Sequence, residues 1–207
     1  MSTAPTGQIA AVILAAGMAT RFRAADPASA SKVLAQLDGK PLLRHVVDAA
    51  LASRARPVIV VTGHAQADVA AALAGLDVII AHNADYASGL ASSLKRGLVA
   101  VPKDCSGLVV LLGDMPRVSA AIIDRLIAAL AARPGALAVV PTFSGQRANP
   151  VVIARAAFPL LARIEGDQGA RRVLQAAGGK VIELPIDDDA VTTDIDTPEA
   201  LRALKDE

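Results

Sequence analysis

Seven short apolar runs recur along the chain, and most of them are separated by stretches with a helical spacing of apolar residues. Runs of this length, rich in β-branched and small residues, are typical of strands buried on both faces of a parallel sheet. The alternation predicts one α/β domain whose mostly parallel sheet has right-handed crossovers and helices on both faces. The runs cover residues 9–14, 57–62, 77–81, 107–112, 137–141, 150–153 and 181–184.

Two of the stretches between the runs carry a clear apolar stripe. Residues 119–132 predict a helix that Ser119 can cap, with Ile122, Ile123, Leu126, Ile127 and Leu130 on its buried side. A second helix is predicted to begin near Ser88, with Leu90, Leu94, Leu98 and Val101 as its stripe and Ser93 off the central line. Both helices are expected to pack against the sheet.

Three segments break this pattern. Residues 22–31 are rich in Ala and Ser and predict a loop. Residues 141–168 have short, interrupted apolar runs, and part of this segment is expected to leave the sheet and cover a substrate. Residues 1–8 are small and polar and predict a disordered tail, with the domain itself at 9–207.

Composition narrows the classes of partner. The chain has 207 residues, with 21 basic and 20 acidic side chains, a formal charge of +1 and no Trp. This balance gives no broad field to attract nucleic acid or an anionic membrane, and neither is predicted as a partner. Cys105 is the single cysteine, which excludes an intramolecular disulfide and favours a reducing compartment. No apolar run approaches a membrane span, and we predict a cytoplasmic protein.

The first apolar run leads into a small-residue loop, Ala15-Ala16-Gly17, which is followed by Arg21 and Lys32. The carboxyl end of such a strand is where open α/β sheets hold ligands. Small residues let backbone amides approach a base or a phosphate, and the two cations can neutralise a polyphosphate. The alternative is an ordinary doubly wound domain, in which the small residues only permit close helix packing.

Three carboxylates are candidate metal ligands. Asp114 follows the strand 108–112, at the sharp exit Gly113-Asp114-Met115-Pro116. A carboxylate beside a triphosphate requires a cation between them, and Mg²⁺ is commonly held by one or two carboxylates and substrate phosphates. Asp194 and Asp196 precede a helix that Thr197 can cap, and either could reach the same metal. Alternatively, these residues serve turns and helix ends.

Several motifs resemble those of the molybdenum cofactor cytidylyltransferases. The stretch LAAGMATRFRAADPASASKVLAQLDGKPLLRHVVDAAL is similar to the family signature, and five further motifs follow in the family's order. They are NADYASGLASSL (83–94), LGDMP (112–116), GQRANPV (145–151), GDQGAR (166–171) and DIDTPE (194–199). The resemblance implies a Rossmann-like, nucleotide-diphospho-sugar transferase-like fold. It also implies Mg²⁺-dependent transfer of CMP from CTP, or of another nucleotide, to the phosphate of a molybdopterin-type acceptor, with release of pyrophosphate.

The same resemblance assigns the site residues. The catalytic residues it implies are Arg21, Lys32 and Asp114. The metal ligands are Asp114 and one of the DID carboxylates, with Asp196 preferred to Asp194. The acceptor ligands are Asn149, Asp167 and Arg171. The nucleotide ligands are Leu14, Ala15, Ala16, Gly17, Arg21, Lys32, Asn83, Gly89 and Ser93.

One departure from the family pattern lies between Arg21 and Lys32. This chain has Arg23-Ala24-Ala25-Asp26 and a longer loop where the family usually has an early Gly and a shorter path to the Lys. Two other functions stay open at this point: nucleotidyl transfer to a sugar or polyol phosphate, and a non-catalytic molybdenum cofactor carrier. A client molybdoenzyme is a further candidate partner.

Overall fold

A central sheet built from all seven predicted runs dominates the computed structural model. The structure describes residues 7–18, 22, 31–166 and 170–205, with only the backbone of 171–173. Each predicted run becomes a strand whose ends lie within two residues of the prediction. The strands are β1 (Ile9–Ala15), β2 (Gln36–Leu37), β3 (Lys40–Pro41), β4 (Val58–Thr62), β5 (Ile79–His82), β6 (Gly107–Leu112), β7 (Ala138–Phe143), β8 (Gln146–Arg147), β9 (Val151–Ala154) and β10 (Val181–Pro185).

The sheet has the order β10-β7-β9-β6-β1-β4-β5, and β8 extends β7 as a hairpin. Strand β1 lies at its centre, parallel to β4 and β6, and β4 is parallel to β5. Strand β9 is antiparallel to both β6 and β7. The prediction of a mostly parallel sheet is confirmed. Strands β2 and β3 form a separate antiparallel pair.

Residues 141–168, part of which was expected to leave the sheet, include the predicted run 150–153, which forms β9 inside the sheet, whereas Phe158–Leu161 are helical. Val151, Val152 and Ile153 are buried between β6 and β7, because their apolar side chains complete the core on both faces. The short strand β8 pairs with β7 in the same sheet.

Helices cover both faces of the sheet, as predicted. Alternate residues of β1 supply the two cores: Ile13 faces one and Val12 the other. The first core is covered by α1, α2 and α4, and the second by α3 and α5 with Leu174 of α6. The helices are α1 (Leu42–Ala52), α2 (Gln66–Ala72), α3 (Leu90–Ala100), α4 (Ala120–Ala131), α5 (Phe158–Leu161), α6 (Arg171–Ala177) and α7 (Pro198–Lys205).

The two predicted helix stripes have different outcomes. In α4 the prediction is confirmed, and the Ser119 hydroxyl accepts a hydrogen bond from the Ile122 N–H at 3.3 Å. In α3 Leu94 is buried, but Leu90 is exposed and Ser93 is buried. The helix turns Ser93 inward because its hydroxyl has a buried hydrogen-bond partner, Asn83.

Gly97 sets how closely α3 approaches the sheet. A Cβ atom at this position would lie 2.4 Å from Val12 Cγ1 and 3.1 Å from Val61 Cγ2. We expect Gly97→Ala to lower the free energy of unfolding by about 1–3 kcal/mol, because overpacking outweighs the gain of about 1 kcal/mol in helix propensity. Urea denaturation tests this, with the exposed Val99→Ala as a control on the same helix. A Gly97→Ala protein at least as stable as wild type would contradict the close packing.

The predicted tail at the amino terminus is described from residue 7 onward. Residues 1–6 of the predicted tail lie outside the described residues, and the Gln8 carbonyl accepts a hydrogen bond from the Ser106 N–H at 2.9 Å.

Among the described residues, no helix is both long and apolar enough to cross a membrane.

Candidate active site

A cavity of about 470 Å³ opens at the carboxyl ends of β1 and β6. This volume is typical of a small-molecule site, and the position matches the rule for open α/β sheets. One wall is the small-residue loop after β1, and the opposite wall is the turn between β5 and α3. The lining residues are Leu14, Ala15, Ala16, Gly17, Met18, Ser31, Lys32, Val33, Tyr86, Ala87, Ser88, Gly89, Leu90, Ser93, Leu112 and Asp114.

The small-residue loop is held against the neighbouring strand. The Ala16 carbonyl accepts a hydrogen bond from the His64 N–H at 3.3 Å. A Cβ on Gly63 would lie 2.9 Å from Ala16 Cβ and 2.5 Å from Tyr86 Cβ, so only Gly fits between the two walls. The backbone of residues 14–17 therefore faces the cavity from a position fixed by packing.

Asn83 organises the opposite wall from behind. Its side-chain amide donates to Ser92 Oγ at 2.8 Å and to Ser93 Oγ at 3.1 Å, while its Oδ1 accepts from the Asp85 N–H at 3.1 Å. Asn83 is buried and does not line the cavity. These contacts differ from the predicted nucleotide contact, since they use the amide to fix the turn that leads into Gly89 and α3.

The charged centre of the cavity is a lysine between two aspartates. Lys32 Nζ lies 2.6 Å from Asp114 Oδ2 and 2.8 Å from Asp196 Oδ1. The three side chains are only 14%, 17% and 30% exposed, which makes the cluster substantially protected from solvent.

Backbone hydrogen bonds bring the two aspartates together from distant parts of the sequence. At the exit of β6, the Gly113 N–H donates to the Leu14 carbonyl at 3.0 Å, which ties this exit to the loop after β1. The Ile195 N–H donates to the Asp114 carbonyl at 3.0 Å and so carries Asp196 alongside. Thr197 then caps α7 as predicted, accepting from the Ala200 N–H at 3.2 Å.

The electrostatics of the cluster follow from these distances. Burial would lower the pKa of Lys32, but the charges and hydrogen bonds of Asp114 and Asp196 outweigh it, so its pKa lies above the ordinary value. Partial burial and the negative charges of Asp196 and Asp114 raise the pKa of Asp194. Within the described part of the chain, Asp114 Oδ1 is buried without a hydrogen-bond partner. The cluster thus has an unused oxygen ligand beside two neighbouring carboxylates.

The structure brings most of the predicted nucleotide residues to one cavity. Seven of the nine line it: Leu14, Ala15, Ala16, Gly17, Lys32, Gly89 and Ser93. The predicted metal ligand Asp114 also lines the cavity, and Asp196 joins it through its contact with Lys32. Arg21 lies outside the described residues.

Of the three predicted acceptor residues, the structure describes only Asn149 in full. The Asn149 N–H donates to the Val191 carbonyl at 3.0 Å, and Asn149 does not line the cavity. Asp167 lies outside the described residues, and Arg171 is described only by its backbone at the start of α6.

Sequence reasoning missed Tyr86, Ser31 and Met18, all of which line the cavity. Tyr86 lies in the motif at 83–94, and Met18 and Ser31 lie in the motif that contains Lys32. Their positions in these motifs could have marked them as cavity-lining residues. Over the described ranges, no group of three or more His, Cys, Asp or Glu side chains is arranged to hold a metal.

Comparison with known families and proteins gives a consistent result. The model of the MobA-like NTP transferase domain matches residues 11–181. Among curated proteins, the bifunctional protein GlmU of Sorangium cellulosum is 33% identical over 188 residues, which cover 88% of this chain and 34% of that protein. The chain thus spans about a third of the length of this relative.

Solved structures match over nearly the whole chain. Rv0371c from Mycobacterium tuberculosis H37Rv is 29% identical with a TM-score of 0.80, covering 97% of this chain and 99% of that chain. A second structure of Rv0371c is described as a complex with manganese, at a TM-score of 0.78. A nucleotidyl transferase from Methanothermobacter, 22% identical with a TM-score of 0.82, covers 96% of both chains and shares the fold.

Proposed function

Because this chain belongs to the MobA-like NTP transferase domain family, we propose that it transfers CMP from CTP to the phosphate of a molybdopterin-type acceptor and releases pyrophosphate. The observation that carries this proposal is the cavity itself. The small-residue loop at 14–17 lines it beside a cluster of one lysine and two aspartates. Such a combination suits a ligand with an uncharged base and a charged polyphosphate.

The residues of the cluster fit a divalent cation. Asp114 Oδ1 is buried with no hydrogen-bond partner among the described residues, and Asp196 supplies a second carboxylate. Carboxylate oxygens suit Mg²⁺ and Mn²⁺, with the remaining positions filled by water and substrate phosphates. We propose Asp114 and Asp196 as the ligands, with Asp194 as a neighbouring carboxylate. The manganese complex of Rv0371c supports a divalent cation in this fold.

In the proposed reaction, an oxygen of the acceptor phosphate attacks the α-phosphorus of the nucleotide. The new O–P bond forms as the bond to the β-phosphate oxygen breaks, and both electrons of that bond leave with pyrophosphate. No general base is needed, because the acceptor phosphate is already anionic at neutral pH. Lys32 and Arg21 would offset the growing charge on pyrophosphate, and a bound divalent cation would supply further charge stabilisation.

The walls of the cavity support a preference for the smaller pyrimidine base. Ala16 is buried and lines the cavity within the Ala15-Ala16-Gly17 loop, and we propose that its methyl group takes space for the base that a Gly would leave open. The close packing of Ala16 and Tyr86 around Gly63 limits movement of this methyl group. We therefore propose CTP as the preferred nucleotide over GTP.

The acceptor is proposed from the motifs around Asn149, Asp167 and Arg171, with a client molybdoenzyme as the next partner. The second candidate is a sugar or polyol phosphate acceptor. The similarity to GlmU keeps this candidate open, because the family match does not fix the acceptor. A non-catalytic carrier is disfavoured, because a carrier would not require Lys32, Asp114 and Asp196 in one cluster.

Pyrophosphate release from each of the four nucleoside triphosphates, measured with Mg²⁺ and with or without acceptor, tests these proposals. We expect release with CTP and molybdopterin, and at least about ten-fold less with GTP, a difference of about 1.4 kcal/mol in transition-state binding. Equal or faster turnover with GTP would overturn the base preference. Release only with sugar phosphates would favour the second candidate, and no release with any acceptor would contradict transferase activity.

A further inference from the structure

The lysine in the cavity contacts the same carboxylates that suit a divalent cation. Lys32 Nζ lies within hydrogen-bond distance of one oxygen from Asp114 and one from Asp196. The ammonium group is thus a cation already held between the two aspartates. Its side chain is only 14% exposed, so solvent screens these contacts weakly.

A divalent cation and this ammonium cannot share the two carboxylates without cost. A metal bound to these carboxylates would lie close to the lysine nitrogen, and like charges at short separations repel strongly in a protected site. Lys32 leaves Asp114 Oδ1 unused, but a metal held there beside the ammonium would keep this repulsion, which is relieved only if Lys32 moves away.

The direction of that movement is set by the cavity. Lys32 lines the same cavity as the small-residue loop, and its four-carbon stem has several rotatable bonds. A triphosphate bound along the loop would present anionic oxygens that can replace the two aspartates as partners of the ammonium.

We propose that Lys32 and a divalent cation compete for Asp114 and Asp196, and that nucleotide binding relieves the competition by drawing Lys32 onto the triphosphate. This inference rests on the proposed function for the identity of the two ligands. By linkage, the nucleotide then promotes metal binding through Lys32 as well as through its own phosphate oxygens. The competition keeps metal affinity low until the nucleotide is present.

The chain offers a matched control for this proposal. Lys40 Nζ lies 2.8 Å from Asp48 Oδ2, the same distance as the contact of Lys32 with Asp196. The Lys40 pair is more exposed, with side chains 41% and 40% accessible, and neither residue lines the cavity. Replacing Lys40 therefore removes a comparable ion pair without touching the proposed metal ligands.

The test measures Mn²⁺ binding by the electron paramagnetic resonance signal of the free ion, without nucleotide and then with CTP. Wild type, Lys32→Met, Lys32→Gln and Lys40→Met are compared, and circular dichroism verifies the fold of each. Without nucleotide we expect both Lys32 variants to bind Mn²⁺ at least about ten-fold more tightly than wild type, since one charge-assisted contact accounts for a factor of that size. Lys40→Met should match wild type, and CTP should raise Mn²⁺ affinity by a larger factor in wild type than in the Lys32 variants.

The midpoint temperature of thermal unfolding provides a second measurement. If loss of Lys32 lowers stability by leaving the carboxylates unpaired, Mn²⁺ should restore the midpoint of the variants and raise that of wild type much less. Equal or weaker Mn²⁺ binding by folded Lys32 variants, with binding by wild type in the presence of CTP, would overturn the competition and leave the proposed function intact. Absence of Mn²⁺ binding in every protein, with and without CTP, would overturn both.

Discussion

Replacing Asp114 with Asn is expected to reduce turnover by roughly two to three orders of magnitude while shifting the melting temperature by only a few degrees. The substitution keeps the size of the side chain and the backbone carbonyl that accepts from the Ile195 N–H at 3.0 Å. It removes the negative charge and weakens the oxygen ligand proposed for the divalent cation. Lys32 keeps its contact with Asp196, which limits the effect on folding.

Steady-state pyrophosphate release and a thermal melt on the same preparation distinguish a role in the site from a role in the fold. Asp48→Asn is the matched control, because Asp48 is also paired with a lysine but lies away from the cavity. Unfolding of Asp114→Asn together with loss of activity would show that Asp114 supports the turn after β6 rather than the reaction. Normal turnover of a folded Asp114→Asn protein would contradict its assignment as a metal ligand.

The second large effect is expected for Lys32→Ala, which should lower kcat/KM for CTP by about one to two decades at saturating Mg²⁺. The lost charge weakens the hold on the triphosphate and on the departing pyrophosphate. Tighter metal binding in the absence of nucleotide and slower catalysis are therefore expected in the same variant. Lys40→Ala should behave as wild type in the pyrophosphate assay.

The two cations of the family motif can be separated by the same assay. Arg21→Lys should also be harmful, because the two-pronged contact of a guanidinium with phosphate is lost. Arg23→Ala and Asp26→Ala should be tolerated. A severe defect in Arg23→Ala combined with near-normal kinetics of Lys32→Ala would show that the motif is misaligned and that the loop supplies a different cation.

The strands of the sheet were largely predictable from the sequence. Runs such as 9–14 and 107–112 are apolar throughout. Helices cover both faces of these strands, so neither face meets solvent and no alternating polar positions appear. Helix α4 was equally predictable from the sequence, since its N-cap and its apolar stripe are local features. The resemblance also predicted that Lys32 and Asp114 belong to one site, and both residues line the same cavity.

Other features depended on contacts between distant segments. The run 150–153 was predicted as a strand, but its position between β6 and β7, antiparallel to both, was not, because a short apolar run does not reveal its neighbours. The burial of Ser93 was missed for a similar reason, since its partner Asn83 lies on the preceding turn. Helical periodicity alone favours the apolar Leu90, which the structure leaves exposed at the cavity.

The sequence by itself therefore determined the fold class, the strands and the residue types available for chemistry, since these depend on local pattern and on motifs. Only the tertiary structure decided which charged side chains contact one another. Lys32 and Asp196 are 164 positions apart, yet their side chains lie 2.8 Å from each other. No local pattern encodes that distance: it arises because the packing of the sheet brings β1 beside β6, and the Ile195–Asp114 backbone contact brings the DID segment to the same edge.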